Sequence, residues 1–188
     1  MPYFTDTQTR ALVQETYGDA TAKSRAVAEA LYSPAELDGL PEDAIALAFG
    51  VGHPVRHAGL QPGEIVLDVG CGAGIDSLLA AKQVGASGCV LALDMTPAMV
   101  ERARRNVALL GATNVEVHEG VMESLPFADA SVDAVIANGV LNLSTRKSRA
   151  LAEMHRVLRP GGRVVLADLV LTDALPEELA KSPTALAA

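Results

Sequence analysis

The sequence predicts an α/β fold, a parallel sheet with helices packed on both faces, and three observations carry that reading. Ile65, Val66 and Leu67 form a short apolar run, too short for a helix and suited to a buried parallel strand. The run enters Asp68 and then glycines at alternating positions, Gly70, Gly72 and Gly74, before a helical pattern with Ile75, Leu78, Leu79 and Ala80 apolar. A second apolar strand, Cys89 to Leu93, ends in Asp94, about twenty residues beyond Gly74.

Strand, glycine turn and helix open a nucleotide-binding β-α-β unit, because glycines let the backbone turn tightly and approach a ligand. The G-x-G-x-G spacing differs from the G-x-G-x-x-G of dinucleotide folds, and an acid directly before the loop is no part of that fingerprint. An acid at the tip of the second strand can accept hydrogen bonds from both ribose hydroxyls. Together these residues resemble the S-adenosylmethionine site of class I methyltransferases. The resemblance implies that Asp68 and the loop Gly70, Cys71, Gly72 and Gly74 hold the methionine part, while Asp94 holds the ribose.

At 188 residues, with 49% hydrophobic and 20% charged residues, the chain describes a globular protein with a real core. No apolar run approaches the roughly 18 to 20 residues of a membrane span. The first residues show no basic segment followed by an apolar core, so no signal peptide is visible and a cytoplasmic location is expected. Fifteen basic against 23 acidic residues give a formal charge of −8, which suits neither nucleic-acid backbones nor acidic membrane surfaces. The densest basic stretch, Glu101 to Arg105, reads as a solvated helix face. Two cysteines, Cys71 and Cys89, indicate neither a disulfide framework nor a metal site.

Residues 6 to 32 read as helical with a break near Gly18-Asp19, and residues 1–58 as an N-terminal helical cap and lid over a domain of residues 59–188. Leu12, Val13 and Tyr17 form one apolar stripe, and Ala26, Val27, Ala30 and Leu31 a second. These helices either cover the site or face the substrate. Pro34 and Asp38-Gly39 mark turns, and 41–49 a short helix. Phe49 to Pro54 is a glycine-rich loop that faces the ligand from the side opposite the main glycine turn. His53 and His57 precede the core sheet, and either could serve as a base or as a surface or packing residue. Gln61-Pro-Gly63 turns into the first strand, and Gly85 to Gly88 returns the chain to the second. A helix then begins near Pro97 with Thr96 as N-cap; Met99, Val100, Ala103, Val107 and Leu110 form its stripe, and Gly111 ends it.

Val115 to Glu119 alternates as a strand, with His118 exposed. The segment Gly120 to Pro126 resembles the part of the methyltransferase fold that borders the adenine. By that resemblance Val121, Met122 and Glu123 lie at the base, with Met122 packed on it and Glu123 near its amino group, while Met95 and Met99 form pocket wall. Ser131 to Ala137 reads as a fourth buried strand, followed by Asn138 to Asn142 at the carboxyl end where open α/β sheets bind ligands. Residues 146–158 read as a helix with Ala150, Leu151, Met154 and Leu158 inward. Arg159 to Gly162 is a sharp turn into a fifth strand over residues 163–171, and the wording VLRPGG is characteristic of class I methyltransferases.

DMTPAM, NGVLNLS and ADLVLTDALPEEL, with Tyr17-Gly18 and Ala22, bring the resemblance closer to arsenite methyltransferases and their relatives, from about Tyr17 onward. Those enzymes hold trivalent arsenic with cysteine thiolates, a soft ligand set. Carried over by position, one cysteine is replaced by Val51 and another by Gly139, and a third falls beyond Ala188. The resemblance therefore implies methyl transfer from S-adenosylmethionine to a small molecule other than arsenite. A subunit that binds the cofactor but needs a partner chain for catalysis is the alternative; a nicotinamide-linked dehydrogenase fits the glycine spacing less well. Tyr17, His53, Gly139, Asn138 and Asn142 are candidates for the acceptor side, and no catalytic residue stands out. Proximity can supply about 7 to 11 kcal/mol of barrier reduction, so an activated methyl donor needs few further groups. The implied fold is a Rossmann-like class I methyltransferase sheet that lacks its last two strands, residues 172–188 reading as a loop and short helix. Its fifth strand would then be an open edge, suited to a homodimer or a partner chain.

Overall fold

The computed structural model describes residues 5–18, 24–170 and 172–173. Five strands form one parallel sheet: β1 (Ile65–Val69), β2 (Cys89–Asp94), β3 (Val115–Glu119), β4 (Val132–Asn138) and β5 (Leu158–Ala167), in the order β3-β2-β1-β4-β5. Among the described residues eight α-helices accompany them: α1 (Asp6–Gly18), α2 (Ala26–Leu31), α3 (Pro34–Leu37), α4 (Glu42–Ala46), α5 (Pro54–His57), α6 (Ile75–Val84), α7 (Pro97–Leu110) and α8 (Lys147–Val157). The strand order reverses between β1 and β4, so the loops leaving these neighbours diverge and open a crevice at their carboxyl ends.

Period-two burial explains the layers. Val66, Val90, Ala134 and Ile136 face a core closed by Leu78 and Leu79 of α6 and by residues of α2 to α5. Leu67, Val69, Leu93, Val135 and Ala137 face the other way, against Met154 and Val157 of α8 and Leu125 from the segment after β3. The centre of the sheet is thus buried on both faces, which is why β1 and β4 read as continuous apolar runs.

Several elements differ from the sequence reading. Of the stripe read in α2, Leu31 packs partly against the core while Ala26, Val27 and Ala30 are exposed; the fully buried side chains are Ala28 and Tyr32 at its end, the latter drawn in by its hydrogen bond to Asp76. Leu151 of α8 is 42% exposed, and the spacing Ala150, Met154, Val157 makes the buried face instead. Leu158 belongs to β5 rather than to α8. Pairing passes from Val132↔Leu158 to Ala134↔Arg163, so Arg159 to Gly162 bulge from the strand. Arg159 Nη1 donates to Asp133 Oδ1 (2.7 Å) and Arg163 Nη2 to Glu64 Oε2 (2.6 Å), which pins both sides of the bulge. The strand ends at Ala167 because Asp168 turns to accept from the backbone and side chain of Asn142 (3.1 and 2.8 Å). Thr96 occupies the N-cap position of α7 without a side-chain capping bond. His118 is half-buried, edge-on to Phe127 at 5.1 Å between ring centroids. Asp19, Ala22 and the short helix read within 172–188 lie outside the described residues, apart from Thr172 and Asp173.

Candidate functional site

The crevice between β1 and β4 is a cavity, and its floor is built by the loop after β1. Gly72 has φ +54, and a Cβ built there meets nothing within 4 Å. The loop therefore presents bare backbone to the cavity, in a conformation that other residues adopt at a cost. The Gly72 amide donates to Asp94 Oδ2 (2.9 Å) and the Thr96 amide to Asp94 Oδ1 (2.8 Å), so the acid ending β2 holds the turn ending β1.

Asp68 is 2% exposed and accepts from the Ser77 hydroxyl (2.5 Å). Asp76, in the first turn of α6, is 5% exposed. The Tyr32 hydroxyl donates to its Oδ1 (3.0 Å) and Asn138 Nδ2 to its Oδ2 (2.9 Å). Asn138 Oδ1 accepts from the amides of Val51 and Gly52 (2.9 and 3.1 Å), and its Nδ2 reaches the Gly52 carbonyl (2.8 Å). One side chain at the end of β4 thereby ties the 49–52 loop to the buried acid. A side chain at Gly50 would collide with Asn138, which explains the glycine there.

Helix α1 crosses the mouth. Gln14 Nε2 donates to the Met95 carbonyl (3.1 Å), Arg10 pairs with Glu123 (3.3 Å) and Asp6 with Arg146 (2.5 Å). It is thus fixed to the segments that follow β2, β3 and β4. Arg10, Val13 and Tyr17, on one helical face, line the cavity, and Tyr17 meets Phe49 edge-on at 5.4 Å.

Of the residues singled out from the sequence for the cofactor, Asp68, Gly70, Cys71, Gly72, Asp94 and Met95 line this cavity. Met99, Met122, Glu123 and Asn138 do so as well, and so do Tyr17 and Gly139 from the acceptor candidates. Four do not. Gly74 is the left-handed N-cap of α6, and Val121 is bridged to Ser124. His53 Nε2 bonds Glu36 (2.9 Å) while its Nδ1 accepts from the Arg56 amide (3.2 Å), so both ring nitrogens are engaged away from the cavity. Asn142 is occupied with Asp168 and the Leu169 carbonyl. His57 is exposed on α5. Sequence reasoning missed Asp76, Arg10 and Ser144, whose hydroxyl donates to Glu123 Oε1 (2.5 Å). An acid in the first turn of a helix reads as a complement to the helix dipole, so Asp76 gave no separate signal.

The electrostatics are one-sided. The lining holds four carboxylates, Asp68, Asp76, Asp94 and Glu123, against one cation, Arg10, which is paired to Glu123. The described residues contain no group of three acids, histidines or cysteines placed to hold one metal ion. Burial raises the values of Asp68, Asp76 and Asp94, and the proximity of Asp76 raises Asp68 further. The Cys71 thiol is pushed well above its ordinary range by burial, so it stays protonated. A desolvated acidic cavity of this kind fits a cationic ligand.

A methyltransferase-domain family model matches residues 60–188. The chain is 47% identical over 144 residues to an arsenite methyltransferase of Halobacterium salinarum, covering 77% of this chain and 37% of that one. It is 38% identical over 127 residues to a ubiquinone/menaquinone biosynthesis C-methyltransferase of Marinomonas sp., covering 66% and 49%. The chain thus spans between about a third and a half of the length of these curated relatives. Among solved structures, an arsenic(III) S-adenosylmethionine methyltransferase from Chlamydomonas reinhardtii superposes with TM-score 0.72 at 38% identity, covering 80% of this chain and 52% of that one. A SAM-dependent methyltransferase from Aquifex aeolicus gives 0.59 at 27% identity, covering 82% and 79%.

The raised acids make a pH prediction. A carboxyl that is easier to protonate folded than unfolded stabilises the fold fully below its unfolded value of 3.8, and that contribution is lost as pH rises through the higher folded value. Glu64 and Glu153, lowered by hydrogen bonds from Arg163 and Arg156, contribute in the opposite sense, but below 4.5. Between about pH 5 and pH 7.5 the acidic floor therefore dominates this balance. Calorimetric unfolding without ligand should show a midpoint that falls across this window, and Asp68→Asn should flatten the fall. An unchanged slope in the variant would contradict the electrostatics described.

Proposed function

This chain belongs to the S-adenosylmethionine-dependent methyltransferases, and from that premise we propose that it transfers a methyl group from the cofactor to a small-molecule acceptor other than arsenite. The observation that carries the cofactor half is the glycine loop held to Asp94 at the floor of the cavity. The fit is chemical as well as steric: bare backbone at Gly72, the Asp94 carboxylate as an acceptor in the cavity wall for ribose hydroxyls, and acids facing a ligand with positive charge. S-adenosylmethionine supplies a methyl group already activated on cationic sulfur. The chain's own task is to bind, orient and exclude water, and α1, bonded across three loops, covers the mouth where solvent would enter. Asp94 would hold the ribose, the Gly70 to Gly72 backbone the methionine part, and Met122 the base.

The acceptor reading rests on the far end of the cavity. Gly139 has φ +71, and a Cβ built there lies 3.6 Å from Val51 Cγ1. The two positions where cysteines are expected in arsenite enzymes therefore face each other, and here they offer a hydrogen and an isopropyl group. With Phe49, Val140 and Leu143 nearby in the wall, this end suits an apolar acceptor.

A second reading, favoured by the edge of β5, is that catalysis needs a second copy or a partner chain. Among the described residues β5 pairs only with β4, and Val164 and Leu166 are 38% and 36% exposed along it. No described helix is long and apolar enough to cross a membrane, and a cytoplasmic setting is part of the proposal.

Calorimetric titration should give one S-adenosylmethionine site per chain at micromolar affinity. Asp94→Ala should weaken it at least about tenfold by removing charged acceptors; unaltered affinity would count against the ribose assignment. Incubation with arsenite and labelled cofactor should yield no methylated arsenic above an enzyme-free control, and turnover would refute the acceptor reading. Light scattering at micromolar concentration should show a dimer; a clean monomer with full activity would remove the partner proposal.

A further inference from the structure

Asp76 differs from the other acids of the cavity in where it stands and how it is held. Asp94 is engaged by two backbone amides at the β2 end, and Glu123 is engaged by Arg10 and Ser144 at the β3 end. Asp68 lies beneath the glycine loop on Ser77. Asp76 alone is joined through Asn138 to the 49–52 loop, beside the facing Val51 and Gly139. Its two observed donors are uncharged, Tyr32 and Asn138, and they use one acceptor position on each oxygen.

The charged and titratable groups around it are Asp68 from β1, Tyr32 after α2 and His53 ahead of α5; His53 spends its Nε2 on Glu36. Placing a second buried carboxyl near Asp68, with no cation in contact with either, is costly unless a ligand brings positive charge. Asn138 and Tyr32 keep the carboxylate from turning away, so the cost is retained in the protein without ligand. Methyl transfer leaves the electron pair of the broken C–S bond on sulfur, and the sulfonium becomes a neutral thioether. The reacting end is therefore where a carboxylate can tell the two apart.

We propose that Asp76 is the specificity-determining carboxylate of this site, favouring the cationic cofactor over its neutral thioether product and so promoting product release. The inference rests on the cofactor reading above and adds to it a residue and a discrimination. Its geometric basis is the Tyr32–Asp76–Asn138 arrangement at the acceptor end of an acidic cavity.

The test is calorimetric titration of the full chain with three probes. They are S-adenosylmethionine, S-adenosylhomocysteine and sinefungin, whose amine keeps a positive charge near the sulfonium position. At pH 7.5 the two cations should bind at least about tenfold more tightly than the neutral thioether, the scale of one hydrogen bond to a charged group. Asp76→Asn should narrow that ratio by about tenfold while thioether affinity stays within about threefold. Tyr32→Phe, which keeps the charge, should preserve the preference. In the wild-type chain the preference should also shrink as pH falls from 7.5 to 5.5; this arm needs no variant, and the common amino group of the probes cancels in the ratio. Equal affinities for all three probes at pH 7.5, or a ratio unmoved in Asp76→Asn, would overturn the proposal while leaving the cofactor reading intact. Binding of none of the probes would overturn the cofactor reading itself.

Discussion

Asp94 accepts hydrogen bonds from the amides of Gly72 and Thr96, and through them the end of β2 determines the shape of the loop that leaves β1. Much of the site follows from that pair of bonds. They hold Gly72 in a left-handed conformation with its backbone facing the cavity, and they keep the Asp94 carboxylate in the cavity wall. The parallel register of β1 and β2, Val69 opposite Leu93, is what brings the acid to the turn. Gly70 and Cys71 both donate to the Leu93 carbonyl (2.7 and 2.9 Å), which extends the same connection through the backbone.

The second constraint is the company of buried acids. Asp68, Asp76 and Asp94 all line the cavity with neutral donors beside them, among them a serine, a tyrosine, an asparagine and backbone amides. Desolvated carboxyls cost stability, and proteins keep them where binding needs them more than folding does. The surrounding structure offsets that cost with apolar burial on both sheet faces. The ion pairs Glu64 with Arg163 and Glu153 with Arg156 are made by residues outside the cavity lining, whereas Arg10 with Glu123 is part of it.

How much of this was legible in the sequence divides along a physical line. The strands were readable because β1 and β4 are buried on both faces and so show unbroken apolar runs. The glycine turn and Asp94 were readable because their spacing is local. Asp76 was not, since its partners Tyr32 and Asn138 lie 44 and 62 residues away and a helix-entry acid has an ordinary local explanation. For His53 the sequence left a base and a packing residue both open, and the fold decides between them by burying it as the cap of α5 with a bond to Glu36. The amphipathic reading of α2 held only at Leu31, because six residues are too few for periodicity to outweigh one anchoring tyrosine. The bulge at Arg159 to Gly162 was visible as a turn, but its place inside β5 depends on ion pairs with Asp133 and Glu64 that only the folded sheet assembles.

The cavity at the β1–β4 crossover is floored by a glycine loop that Asp94 holds. A crystal structure of the chain grown with S-adenosylhomocysteine tests it most directly. The account predicts ribose hydroxyls within hydrogen-bond distance of the Asp94 carboxylate, with the amino-acid end of the ligand over the Gly70 to Gly72 backbone. A ligand bound elsewhere on the chain, or in this cavity with its ribose away from Asp94, would contradict it.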